Sequence, residues 1–200
     1  MIDRQASTEG ELETGLLTEA LAALGPGPWS VLDMGRAQPT TLGFFRHYRC
    51  RVGVADALEE LAELGRSGTT DPTLLWYELR DLIPVDSERP WDLVLLWDVL
   101  DYLPGPLLEA VTLHLQPGLS AGARLHGFVA TSATPVPALP PAYEVLTRER
   151  LRRRIVDDGQ EGVPPQRHTP WHLQRYMPGV ALERSRQRRD GRQEHLMRYA

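Results

Sequence analysis

The sequence predicts an α/β protein with a doubly wound, mostly parallel sheet of seven strands, helices on both faces and a C-terminal antiparallel hairpin. Three observations predict this class. Short apolar runs alternate with amphipathic runs between residues 29 and 131, WDLVLLWDVL is apolar enough for a strand buried on both faces, and an Asp190-Gly191 turn separates two polar runs. Repeated strand-helix order implies parallel strands joined by right-handed crossovers.

The first elements follow from hydrophobic periodicity and from the residues that end each run. Between residues 9 and 24, apolar residues recur at helical spacing until GPGP, which predicts a leading helix. The next segments are predicted as strand (WSVLDM), helix (TTLGFFRHY), strand (CRVGVA) and helix (DALEELAELGR). In this last helix, Asp56 is the predicted cap and Gly65 lies near the predicted end.

The later elements complete the predicted sheet. They are the strands TLLWYEL, WDLVLLWDVL and ARLHGFVAT, with the helix GPLLEAVTLHLQPG before the last of them. The sequence after Thr131 is rich in proline and then in charge, which excludes a central strand there. TPWHLQRYM predicts a short helix with Thr169 as cap and Pro170 in its first position, followed by the hairpin.

Length and composition favour one domain over residues 1–200. We divide it into a leading helix (1–28), a central core (29–131), an excursion that can cover a substrate (132–170), and a C-terminal helix with the hairpin (171–200). No apolar run is long enough to span a membrane and the first residues do not resemble a signal peptide, so we expect a cytoplasmic protein without membrane contact. Cys50, the sole cysteine, is expected to be a buried, inert thiol.

The charged residues exclude some chemistry and leave one question open. All 22 basic residues are arginine, so neither a Schiff-base lysine nor a P-loop lysine exists. Residues 1–143 carry 9 arginines against 19 acidic residues, whereas residues 144–200 carry 13 against 8. The basic C-terminal part can meet an anionic substrate, nucleic acid or an acidic partner, or it can be a solvated face balanced by the acidic part of the same chain.

Several segments, in order, resemble the class I S-adenosylmethionine-dependent methyltransferases over about residues 10–200. In VLDMGRAQP, Asp33, Gly35, Ala37 and Pro39 stand at the four places of the family's acidic-x-Gly-x-Gly-x-Gly turn, so one glycine of three is present. RVGVAD ends in Asp56, as does the second strand of the family, and YELRDLIPVD offers Asp81 after the third. WDLVLLWDVLDYL and LQPGLSAGARLHGF resemble the fourth strand and the turn into the fifth.

The resemblance implies a Rossmann-like fold with S-adenosylmethionine as cofactor, in a core spanning 29–131. It assigns cofactor binding to Asp33, Gly35, Ala37, Asp56 and Asp81, with Asp56 on the ribose. Glycine is used in such turns because the backbone must bend tightly and approach the ligand. Ala37 adds a methyl group and Pro39 removes an amide, so a second interpretation stays open: a non-catalytic methyltransferase-like module that has lost cofactor binding and binds a partner.

Residues that face the substrate are expected where the fourth and fifth strands end. The candidates are Trp97, Asp98, Asp101, Tyr102, Thr131 and Ser132. The resemblance makes Asp98 the candidate catalytic base or orienting group, with Trp97 and Tyr102 beside it. The alternative is that Asp98 caps the following turn and Trp97 packs beneath it.

The methyl acceptor is not identified by any motif. An anionic acceptor could be held by two or three arginines of the segment Arg148, Arg150, Arg152, Arg153 and Arg154, although helical spacing would spread them apart. The sequence lacks the NPPY or DPPY run of nucleic-acid amino-methyltransferases, which disfavours a nucleic-acid partner. We expect no metal site, because Thr169 and Pro170 begin a helix that leaves His168 outside it and His172 within it.

Overall fold

The computed structural model describes residues 7–156 and 159–200, and the side chains from residue 9 onward. Its strands are β1 (Ser7–Glu13), β2 (Trp29–Asp33), β3 (Cys50–Val54), β4 (Trp91–Trp97), β5 (Leu119–Ala130), β6 (Ala142–Val145), β7 (Arg150–Val156), β8 (Val180–Gln187) and β9 (Arg192–Tyr199). Its α-helices are α1 (Leu16–Ala23), α2 (Pro39–Phe45), α3 (Leu58–Ser67), α4 (Pro72–Leu82), α5 (Gly105–Leu115) and α6 (Pro170–Tyr176). Single 3₁₀ turns lie at Val99–Asp101 and Gln116–Gly118.

The main sheet has six strands in the order β3-β2-β4-β5-β9-β8. The first four are parallel, and β9 and β8 continue the sheet antiparallel to β5 and to each other. Every residue of β4 except Asp92 is buried, so the centre of this sheet is covered on both faces. The doubly wound class is confirmed, and the expected number of seven strands in this sheet is wrong.

The missing strand is TLLWYEL, which lies inside helix α4. Asp71 caps this helix: its carboxylate accepts hydrogen bonds from the Thr73 and Leu74 amides, at 2.8 and 3.3 Å. Pro72 occupies the first helical position, where its lack of an amide hydrogen costs nothing. These helix-start signals outweigh the apolar, aromatic composition that predicted a strand.

A second, three-stranded antiparallel sheet has the order β1-β7-β6 and was not predicted. Residues 9–13 belong to β1 rather than to a leading helix, and the arginine-rich segment forms β7 rather than a helix. The register places Glu9 opposite Arg154 and Glu13 opposite Arg150. Opposite charges on directly paired residues stabilise strands, and this pairing depends on residues about 140 positions apart.

Other local predictions are confirmed. The helix predicted over TTLGFFRHY is present as α2, which begins one residue earlier, at Pro39, and ends at Phe45. Thr169 caps α6 by accepting a hydrogen bond from the His172 amide at 3.3 Å, with Pro170 in the first position. Gly191 has φ 78° in the turn between β8 and β9.

Cys50 is half-buried rather than buried as predicted, and its thiol lies 3.2 Å from the Phe45 carbonyl oxygen.

Helix α3 differs from its prediction at both ends. Its N-cap is Ala57 rather than Asp56, and it ends at Ser67, followed by Gly68 as C-cap with φ 67°. Gly65 lies within the helix, where an added Cβ would stand 2.0 Å from the Tyr102 carbonyl oxygen. The glycine therefore permits a close approach between α3 and the turn after β4, instead of ending the helix.

Among the described residues, no helix combines the length and the apolar character that crossing a bilayer requires.

Candidate functional site

The turn after β2 places Asp33 and Gly35 at the carboxyl end of the parallel strands. Asp33 is buried, and its Oδ1 accepts hydrogen bonds from the Gly35 amide at 2.9 Å and from the Trp97 indole nitrogen at 2.6 Å. Burial raises the pKa of Asp33 to about 6, while these two hydrogen bonds act in the opposite direction. The carboxylate is thus already bonded by the chain itself.

The loop after β3 is tied to the same turn. The Asp56 amide donates to the Gly35 carbonyl at 3.2 Å, and the Ala57 amide donates to the Met34 carbonyl at 2.9 Å. Asp56 has φ 51°, and 62% of its side chain is exposed, with one carboxylate oxygen 3.6 Å from Arg36. The two predicted acidic residues therefore lie on either side of one turn, with Asp33 inside and Asp56 outside.

A pocket of about 260 Å³, here called the outer pocket, lies beside Asp56. Arg36 and Glu59 stand at its polar side and are joined by an ion pair of 2.5 Å. Its remaining walls are Leu58, Val156 and the loop 139–142. A carboxylate next to an open cavity, at the end of the second parallel strand, is suited to accept hydrogen bonds from a hydroxyl-bearing ligand.

The inner side of the turn is filled by aromatic side chains. Trp97 is buried and lies parallel to Tyr143, with ring centroids 4.9 Å apart and planes at 3°. Tyr143 in turn stacks on Phe128, with centroids 5.6 Å apart. We call Trp97, Tyr143 and Phe128 the aromatic stack. Gly35 is buried, and the Trp97 ring packs closely on it, since a Cβ added to Gly35 would stand 3.1 Å from that ring.

Asp98 is the centre of a buried polar network next to the aromatic stack. Its Oδ1 accepts a hydrogen bond from the Tyr143 hydroxyl at 2.5 Å. Arg153 reaches Oδ2 through Nη2 at 3.0 Å, and Arg192 reaches Oδ1 through Nη1 at 3.3 Å. Arg192 also bonds Asp190 at 2.7 Å. With two arginines and a tyrosine on it, the carboxylate acts as an anchor for three elements.

Two further predicted residues stand beside this network. The Asp101 carboxylate accepts a hydrogen bond from the Ala130 amide at 2.8 Å through Oδ1, and its Oδ2 has no partner among the described residues. Burial first, and then the charge of Asp98, raises the pKa of Asp101 to about 7. Tyr102 is buried and donates to the Pro137 carbonyl at 2.9 Å, and burial raises its pKa.

A larger cavity of about 570 Å³, here called the β5 cavity, opens beyond the end of β5. Arg153 and Arg192 line one side of it, next to Asp190. The other lining residues are Ala130, Ser132, Thr134–Ala138, Ile155, Val156, Gln160, Gly162 and Gly191. This volume is typical of small-molecule sites.

The structure thus separates the predicted site residues into groups. Asp33, Gly35 and Trp97 lie together, Asp56 lines the outer pocket, and Ser132 lines the β5 cavity. Ala37 is exposed. Asp81 is exposed on α4, bonded to Arg80 at 2.8 Å, and is not part of the outer-pocket lining.

The arginine-rich segment does not converge on one ligand. Arg154 pairs with Glu9 at 2.6 Å and Arg152 with Glu144 at 3.3 Å, while Arg153 binds Asp98. The alternation of a strand sends these side chains to opposite faces. Much of the basic character of this segment is therefore balanced by acidic residues of the same chain.

Sequence reasoning missed Tyr143 and Arg192 as members of this region, and it named Arg153 only as one of five arginines that could hold an anionic acceptor. Tyr143 stands in a proline-rich run with no motif, and the arginines stand among many others. His168 and His172 are not brought together as ligands: His168 is buried against the Leu103 carbonyl at 2.8 Å, and no group of three metal-ligating residues exists among the described residues.

No known family model matches the sequence, and neither does any curated protein. Solved structures do resemble the fold. Magnesium protoporphyrin IX methyltransferase from Synechocystis PCC 6803, with bound S-adenosylhomocysteine, is 14% identical, and the match covers 92% of this chain and 80% of that chain at a TM-score of 0.50. The 1,6-didemethyltoxoflavin-N1-methyltransferase of Burkholderia thailandensis is 17% identical, with coverages of 92% and 77% and a TM-score of 0.49. The chain has the class I methyltransferase fold.

Proposed function

We propose that this protein is an S-adenosylmethionine-dependent methyltransferase that acts on a small molecule. The observation that carries the proposal is Asp56. Its carboxylate stands beside the outer pocket at the end of the second parallel strand, and its amide is bonded to the Gly35 turn. Parallel α/β sheets bind ligands at this edge, where strand ends meet loops. The fold supports the same assignment.

The residues present fit only the part of the cofactor that would lie in the outer pocket. Asp56 and the outer pocket suit a ribose, whereas the aromatic stack fills the space beside Gly35 and Asp33 that the amino-acid part would need. S-adenosylmethionine would supply the methyl group. We assign no chemical step to Asp98, because its carboxylate is buried and bonded to Tyr143, Arg153 and Arg192.

The β5 cavity is the proposed acceptor site. Its apolar wall includes Pro135, Val136 and Ile155, and its polar side carries Arg153 and Arg192. Such a lining favours a compact, partly apolar acceptor with an oxygen that can accept a hydrogen bond from a guanidinium group. Ser132 and Thr134 add hydroxyl groups at the mouth.

Titration with S-adenosylhomocysteine by calorimetry tests the proposal. We expect binding that weakens at least tenfold in Asp56→Ala, because a hydrogen bond to a charged group contributes about 1.5–3 kcal/mol. Asp81→Ala is the matched control, since it removes an exposed acidic side chain outside the pocket. Equal affinities for the wild type and Asp56→Ala would contradict the assignment of Asp56.

One observation favours a second function, a partner-binding module without a cofactor. The aromatic stack and the Asp98 network fill the inner side of the turn with side chains that are packed and hydrogen-bonded as a protein core is. The same titration separates the two functions. No heat at millimolar ligand, from protein shown to be folded by circular dichroism, would favour the module.

A further inference from the structure

We infer that Tyr143 is a gate on the cofactor site: it holds Trp97 beside Gly35 and must leave before a ligand can extend from the outer pocket to Asp33. The inference rests on the proposed function and adds a controlling residue to it. Three observations carry it, namely the filled space beside Gly35, the strained backbone of Trp97, and the separate sheet that bears Tyr143.

The Gly35 turn is closed on its inner side, because Asp33, Gly35 and Trp97 are all buried. The position of an added Cβ lies 3.1 Å from two atoms of the Trp97 ring and 3.2 Å from Asp33 Oδ1. Ordinary carbon contacts are about 3.5–4.0 Å. The Trp97 indole nitrogen also donates a hydrogen bond to Asp33 Oδ1, so this oxygen is already bonded within the chain. A ligand can reach this turn only if the Trp97 ring moves.

Trp97 is held in a conformation that its backbone disfavours. Its φ is 52°, in the left-handed region that a bulky residue rarely adopts. Such a conformation persists when its surroundings impose it, and costs about 1–3 kcal/mol. Tyr143 covers one face of the ring at 4.9 Å, so removal of Tyr143 takes away one of the contacts that oppose relaxation, beside the Asp33 hydrogen bond and the pairing of Trp97 with Gly127 of β5.

Tyr143 comes from the three-stranded sheet, whereas Trp97 and Asp98 belong to the end of the main sheet. Arg153 lies on β7 beside β6, and Arg192 lies on β9 of the main sheet. If the Tyr143 side chain turns away, Asp98 loses one hydrogen bond but keeps Arg153, at 3.0 Å, and Arg192, at 3.3 Å. The charge of Asp98 then remains paired, which avoids the large cost of a buried, unpaired carboxylate.

A hydrogen bond from the Val145 amide to the Thr41 hydroxyl, at 2.9 Å, joins the same strand to α2, the helix that follows the Gly35 turn. Movement of β6 therefore changes a contact on each side of the cofactor turn, through Tyr143 and through Val145. If only a fraction of the molecules is open, the apparent affinity for the ligand equals the affinity of the open form multiplied by that fraction.

Calorimetric titration of S-adenosylhomocysteine into wild-type protein, Tyr143→Ala, Tyr143→Phe and Tyr77→Ala tests the gate. We expect Tyr143→Ala to bind at least tenfold more tightly than the wild type, because it removes the ring that holds Trp97. Tyr143→Phe keeps the ring and is expected to stay within about threefold of the wild type. Tyr77 is exposed on α4, so Tyr77→Ala is the matched control and should bind as the wild type does.

The outcomes separate the gate from the proposed function. Equal binding by the wild type and Tyr143→Ala overturns the gate and leaves the methyltransferase proposal intact. Absence of binding in both, with folded protein, overturns both. Since Tyr143→Ala removes buried contacts, its folding is checked by thermal unfolding, and Tyr143→Leu replaces it if it does not fold.

Hydrogen exchange of the wild-type protein gives an independent test. With saturating S-adenosylhomocysteine, we expect faster amide exchange in β6 around Tyr143 and slower exchange around Asp56. A ligand that binds without displacing Tyr143 would slow exchange in both regions or leave β6 unchanged, and that result would overturn the gate.

Discussion

At the residue scale, Asp98 has a structural role, but its side chain does not cap the following turn, which was the alternative to catalysis that the sequence offered. The position after the fourth strand suggested a catalytic base, yet the carboxylate joins Tyr143, Arg153 and Arg192. Among the described residues, these partners come from three strands that no local motif links to Asp98. The residues next to Asp98 in the chain predict at which edge of the sheet it lies. Its hydrogen-bond partners depend on tertiary packing.

We predict that Asp98→Asn lowers the free energy of unfolding by about 3 kcal/mol or more, because it leaves the half-buried Arg153 without its countercharge and Arg192 with Asp190 alone. Urea denaturation measures this change. Asp81→Asn is the exposed control and should stay within about 0.5 kcal/mol of the wild type. A loss below 1 kcal/mol for Asp98→Asn would show that the network is not an anchor.

His195 provides a residue-scale prediction on pH. It is buried, neither ring nitrogen has a partner among the described residues, and burial lowers its pKa to about 4 from the ordinary value of 6.5. Between about pH 4 and pH 6.5, His195 is protonated in the unfolded chain and neutral in the folded chain. The stability that His195 contributes is therefore present above pH 6.5 and is lost as pH falls towards 4, by about 3 kcal/mol.

The comparison with His195→Leu isolates this effect, since Asp33 and Asp101 have raised pKa values and act with the opposite sign in both proteins. Urea denaturation at pH 7 and at pH 4.5 measures it. The wild type should lose stability relative to His195→Leu on acidification, and a constant difference would refute the assignment.

At the scale of elements, α2 and α3 offer a matched pair of glycines. Gly43 in α2 has open space where a Cβ would be, whereas Gly65 in α3 faces the Tyr102 carbonyl oxygen at 2.0 Å. We predict that Gly43→Ala raises the free energy of unfolding by up to about 1 kcal/mol through helix propensity. Gly65→Ala should lower it by about 1–3 kcal/mol, because α3 must shift.

Thermal and urea unfolding of the two variants measure this difference. Stabilisation by both substitutions would mean that α3 does not approach Tyr102 closely, and destabilisation by both would mean that α2 has no free space at Gly43.

Elements with local signals were predictable, and elements defined by distant partners were not. Pro39, Thr169 with Pro170, and the Asp190-Gly191 turn each contain the reason for their structure within a few residues. The segment TLLWYEL has strand-like composition, but the Asp71 cap makes it a helix. Strands β1 and β7 exist because each supplies the other's charges and hydrogen bonds.

At the scale of the whole molecule, the sequence located one edge of the sheet but not what covers it. Asp33, Gly35 and Asp56 meet at the strand ends as expected, because parallel topology requires it. Tyr143 reaches the same edge from a sheet that the sequence did not predict. The sequence showed that this turn lacks two of the family's three glycines. It did not show that side chains from a second sheet also cover the turn.

We predict that S-adenosylhomocysteine at one hundred times its dissociation constant raises the free energy of unfolding by about 2.7 kcal/mol. For a chain of 200 residues this corresponds to a rise in Tm of about 5–10 °C. Thermal unfolding followed by circular dichroism measures it. Asp56→Ala at the same ligand concentration should show a smaller rise, and an unchanged Tm in the wild type would contradict cofactor binding.

The separation of Tyr143 from Trp97 along the chain has a consequence for biosynthesis. Strands β2 to β5 end at Ala130, and Tyr143 is translated after them. Domains generally fold as units, and Tyr143 is held in place by the pairing of β6 with β7. On the ribosome, the turn at Gly35 can therefore be covered only after β7 has also been synthesised.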